Sequence, residues 1–121
     1  MKMKRMLILM VMVVTLCLPS VVHAESNEAA QVLIGQYQDM RLNCEAGINY
    51  YAFCDLYRGL YVATMKQQGN IDKVTFDKFT DILWYYENAI FWWERSEMPQ
   101  VREACSIANR KINELDNYLK Q

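Results

Sequence analysis

Between residues 76 and 93 one set of large apolar side chains, Phe76, Phe79, Leu83, Tyr86, Ile90 and Trp93, follows steps of three and four without a break. An α-helix returns side chains to one face at that interval, so the segment is committed to an amphipathic helix with one stripe to bury. The same spacing recurs three more times. Ala30, Leu33, Tyr37, Met40 and Cys44 mark a first helix, with Ser26 as its candidate N-cap and Gly47 and Asn49 as its break. Phe53, Tyr57, Leu60 and Thr64 mark a second, from about residue 50 to 67, ended by Gly69-Asn70. The third, which carries the first seam, runs from about 75 to 94. The fourth follows Pro99 and turns Val101, Ala104, Ala108, Ile112, Leu115 and Leu119 inward. No stretch alternates with period two, and the β-branched residues are too scattered for strands. The expected fold is all-α: a small four-helix bundle, up-down-up-down because short connections make successive helices antiparallel neighbours.

Ahead of these helices stands a segment that reads as an address. Lys2, Lys4 and Arg5 precede an apolar run from Met6 to Leu18, then Pro19 and Val22-His23-Ala24. This is the pattern of a cleavable signal peptide, residues 1–24, leaving a single helical domain over 25–121. The apolar run is too short to span a bilayer comfortably. Cys17 is preceded by Leu16 where a lipoprotein signal would place a small residue. The expected location is the periplasm. Removing the three basic residues of the leader leaves ten basic against fourteen acidic side chains, a net charge of −4. That balance speaks against nucleic acid and anionic membranes, and suits a basic partner.

Export also frames the cysteines. Cys44, Cys54 and Cys105 remain after cleavage, and an oxidising compartment pairs two and leaves one. An up-down bundle puts the end of the first helix, the start of the second and the start of the fourth at one pole, so all three thiols cluster there. Cys44–Cys105 would staple the first helix to the last, worth about 4 kcal/mol in the chain-entropy account. Cys44–Cys54, across the first hairpin, is the alternative.

The third helix carries more aromatic surface than one stripe can hold. In WYYENAIFWWE, residues 84–94, six of eleven positions are aromatic. Tyr86 and Trp93 belong to the inner seam, whereas Trp84, Tyr85, Phe91 and Trp92 lie off it with Asn88 among them. Grouped exposed rings of this kind mark a protein contact, because Trp and Tyr anchor interfaces and monomers seldom leave such patches bare. The competing expectation is architectural: a helix buried all round, or backed by loop 68–74. On the second helix Tyr51 and Tyr61 are the pair expected to face solvent.

Catalytic readings fail one by one. With His23 in the leader, residues 25–121 contain no histidine, which removes most general-base, triad and zinc arrangements. Asp77 and Asp81, with Glu87 further along, share a helix rather than facing each other across a cleft as a glycosidase pair must. They are instead candidate acidic contacts to a partner. The segment 70–77 lacks the oxygen spacing of a calcium loop, and the four glycines are dispersed rather than gathered to cradle phosphate. The expectation is a protein without catalytic residues, cofactor or metal.

A short exported helical chain with surplus aromatics, net acidity and no catalytic set is similar in plan to the periplasmic immunity proteins of type VI secretion systems. That resemblance covers the chain at the level of architecture. It implies a protein that binds a secreted effector toxin, a lysozyme-like cell-wall hydrolase, and blocks it sterically, and it implies a homodimer. A second resemblance is to the pilotins of type II secretion, carried by Cys44 and by Cys105 six residues after Pro99. It implies a periplasmic helper of a secretion system. A chaperone that holds clients through exposed aromatics is a third possibility of the same helper class.

Overall fold

Asn49 and Asp72 cap two helices and thereby fix where the chain turns. The Asn49 Oδ1 accepts from the Ala52 amide at 2.9 Å, and an Asp72 carboxylate oxygen accepts from the Thr75 amide at 3.0 Å. Each satisfies an amide that the first turn leaves without a helical partner. The computed structural model describes residues 27–121. The expected signal segment, Cys17 and the Ser26 cap lie outside the described residues. Among the described residues four helices follow one another: α1 (residues 27–46), α2 (Tyr50–Lys66), α3 (Lys73–Glu94) and α4 (Met98–Leu119). Gly47 and Gly69 sit at φ +83° and +88°, in the left-handed region where the chain leaves α1 and α2. Pro99 stands in the first turn of α4, as its missing amide allows.

The core is built where the inner stripes meet. Tyr37, Met40, Phe53, Phe79, Ile82, Tyr86 and Ile112 are almost wholly enclosed. Tyr37 packs on Phe79 with ring centroids 5.0 Å apart, and Phe53 meets Tyr86 edge-on at 5.7 Å. Polar side chains tie the outer seams. Gln31 Nε2 donates to the Leu119 carbonyl at 2.9 Å, and Gln38 Nε2 donates to Asp116 at 2.9 Å and Asn113 at 3.2 Å. The Tyr86 hydroxyl donates to Asn109 Oδ1 at 2.7 Å, joining α3 to α4.

The inner face of α4 is as the spacing predicts; on α1 Ala30, Leu33, Tyr37 and Met40 are buried, Ile34 is added, and Cys44 is only half-buried. On α3 the buried arc is turned. Thr75, Phe79, Ile82, Leu83, Tyr86 and Ala89 are buried, whereas Phe76, Ile90 and Trp93 are only half-buried. The physical reason is that α3 packs between two neighbours and more extensively on α4 than on α2, which draws Ile82 and Ala89 inward. All three described cysteines carry free thiols. Cys44 and Cys105 pack together at the edge of the core but are not bonded, and Cys54 is buried on α2.

Candidate functional site

The outer face of α3 presents Asp77, Asp81, Trp84, Asn88, Phe91 and Arg95 at steps of four and three, a single ridge about 27 Å long at 1.5 Å per residue. Trp84 is 56 % exposed and Phe91 43 %. They stand two helical turns apart on the ridge, with Asn88 half-buried between them. Each exposed ring is braced by a neighbour. Trp84 lies edge-to-face against Tyr85 at 4.9 Å, and Phe91 against Trp92 at 5.0 Å. Tyr85 and Trp92 themselves pack half-buried against the core. The patch expected from sequence is therefore narrower than its membership: Trp84 and Phe91 face outward, while Tyr85 and Trp92 serve as supports. Tyr85 is backed by α4, where Lys111 lies 5.5 Å over its ring.

Asp77 pairs with Lys73 at 3.1 Å, one turn back on the same helix. Asp81 reaches across to Lys111 on α4 at 3.0 Å, and that carboxylate raises the lysine's pKa above its ordinary value. At the other end Arg95 lays its guanidinium 3.5 Å over the Phe91 ring and donates to the Phe91 carbonyl at 2.8 Å. The ridge thus carries lysine-paired carboxylates at one end, exposed rings in the middle and Arg95 at the other end. Asp77, Thr80, Asp81 and Trp84 line a shallow depression at its acidic end. Glu87 does not join the other two acids. It sits on the α2 flank, where it adds to burial in pushing the Tyr57 phenol up to about 12.

Sequence reasoning missed Arg95 and Lys111. Arg95 was within reach, because it continues the 84–88–91 spacing by one step of four beyond the end of the helix. Lys111 carries no local signal, since its pairing with Asp81 is created by the packing of α4 on α3.

The remaining described surface carries an apolar groove and two exposed tyrosines. Ala29, Val32, Gly59, Val62 and Ala63 line an apolar groove of about 450 Å³ between α1 and α2. Tyr51 and Tyr61 are exposed on α2, as expected. Among the described residues no His, Cys, Asp and Glu side chains converge in a group of three that could hold a metal ion. No described helix is long and apolar enough to cross a membrane. No protein-family model matches the chain, and neither a curated protein nor a solved structure matches it. The fold and surface define a class only: an all-helical protein with a braced aromatic ridge.

Proposed function

We propose that this is a periplasmic immunity protein, exported by residues 1–24, which binds a cell-wall hydrolase effector and blocks it sterically. The observation that carries this reading is the pair Trp84 and Phe91, exposed two turns apart and held against Tyr85 and Trp92. Rings already fixed before contact lose little freedom on binding, so their apolar area counts toward affinity. Asp77 and Asp81 at one end suit a basic partner, and hydrolases of an anionic wall polymer are commonly basic. No catalytic role is assigned to any residue. The up-down-up-down order of the bundle belongs to this proposal, as a rigid platform for the ridge, and so does a disulfide staple.

The placement of Asp77 and Asp81 at one end and Arg95 at the other favours a second occupant of the same ridge. Two copies related by a two-fold axis would lay one ridge antiparallel on the other, bringing Arg95 of each toward Asp77 and Asp81 of its mate. Homodimerisation through α3 would leave the helix ends and inter-helix loops to meet the toxin.

Deleting the gene tests the function. Cells lacking it should be killed by siblings that carry the effector, and the intact gene should restore survival. A gene lacking codons 2–24 should not protect. A Trp84→Gln/Phe91→Gln variant should fold, as circular dichroism would show, yet fail to inhibit peptidoglycan hydrolysis by the purified effector. Undiminished survival of the deletion strain would overturn the immunity reading, and a mislocalised secretin in that strain would assign the helper role instead. Light scattering of the purified protein alone separates the occupants: a dimer that the double variant dissolves places the second copy on the ridge.

A further inference from the structure

Hydrogen bonds between α1 and α4 set a register that decides which cysteines face each other. Gln31 reaches Leu119, and Gln38, seven residues on, reaches back to Asp116 and Asn113. The two helices therefore run in opposite directions along this seam. Six further residues along α1 arrive at Cys44, and the corresponding retreat along α4 arrives within a turn of Cys105. Both thiols pack half-buried against the core, and each is the other's foremost electrostatic neighbour. The Tyr86 hydroxyl, hydrogen-bonded to Asn109, lies against the Cys44 thiol as well. Cys54 is elsewhere. It lies beneath Tyr50, whose hydroxyl donates to Glu94 at 2.9 Å.

We propose that Cys44 and Cys105 form an oxidation site: a disulfide donor joins them into a bridge between α1 and α4, with Cys54 left reduced. The step balances as two exchanges. One thiol of the pair loses its proton and its thiolate attacks one sulfur of the donor disulfide, the donor S–S bond breaks, and the first donor thiolate leaves. The other thiol loses its proton and attacks the protein sulfur of the mixed disulfide, expelling the second donor thiolate. Two electrons pass to the donor disulfide, which takes up the two thiol protons and ends as two thiols.

Cys54 has 9 % of its surface exposed, which denies a donor the approach that exchange requires.

The experiment uses the protein expressed from its full sequence, purified reduced and equilibrated with oxidised glutathione. Peptide mapping should find Cys44 linked to Cys105 within one chain, and Cys54 should be alkylated only after denaturation. A Cys44–Cys54 peptide, a bridge between chains, or Cys44 and Cys105 both remaining reduced would overturn the assignment. Cys54→Ser should oxidise as the parent does, and loss of the bridge in that variant would show that Cys54 takes part.

Discussion

The hydroxyls of Tyr37 and Thr64 meet 2.6 Å apart in the centre of the protein, where neither side chain has measurable exposure. Thr64 passes its own proton to the Leu60 carbonyl at 2.7 Å, so Tyr37 is the donor of the pair. The tyrosine also lies 3.3 Å from the Phe79 carbonyl. One polar contact thus locks α1, α2 and α3 in a single arrangement, in an interior that penalises any other pairing.

Removing either partner of that contact should cost unequal amounts. Tyr37→Phe leaves Thr64 bonded to Leu60, and the expected loss is about 1 kcal/mol. Thr64→Val strands a buried phenol with only the longer contact to Phe79, and the expected loss is about 2 kcal/mol. The double variant should be less destabilised than the two single losses added, because an apolar pair leaves nothing unsatisfied. Urea denaturation of the three variants measures all of this.

Stability should also fall in alkali. Burial raises the phenol pKa of Tyr37, Tyr86 and Tyr57, the last to about 12. An unfolded tyrosine titrates near 10. A group with a raised folded pKa binds its proton more tightly in the folded chain, so its contribution is complete below about 10 and is lost as pH climbs through the folded value. The urea midpoint should hold steady up to about pH 10 and then decline toward pH 12. Phenolate absorbance should show these residues ionising together with unfolding.

Two tryptophans nine residues apart should respond in opposite ways. Trp93 is half-buried against Phe53 at 5.5 Å and Tyr50 at 5.7 Å, and Trp93→Ala should cost about 2–3 kcal/mol. Trp84 is 56 % exposed, and Trp84→Ala should change stability by no more than about 0.5 kcal/mol. Thermal unfolding of the two variants gives the comparison directly.

Gly59 should accept alanine with a gain. It lies inside α2, exposed, and an added Cβ would meet nothing within 4 Å. Helix propensity then dominates, and Gly59→Ala should stabilise the protein by about 0.5–1 kcal/mol in the same unfolding measurement.

Much of the fold is legible in the chain because helical stripes are local. The spacing of Ala30 to Met40 and of Val101 to Leu119 names the buried faces of α1 and α4 directly, and Asn49, Gly47 and Pro99 mark where helices begin or stop. What the spacing could not supply is the direction from which each helix is covered. That α4 covers α3 more than α2 does turned the buried arc toward Ile82 and Ala89. It also made a support of Tyr85, and left Trp84 and Phe91 outward. The same packing created the Asp81–Lys111 pair and moved Glu87 away from Asp77 and Asp81. The cysteines divide in the same way. Three thiols in an oxidising compartment would imply one pair and one remainder from sequence alone, but only the register of α1 on α4 sets Cys44 beside Cys105. Periodicity is written residue by residue along one helix, whereas neighbours belong to the assembled bundle, and the character of the ridge depends on neighbours.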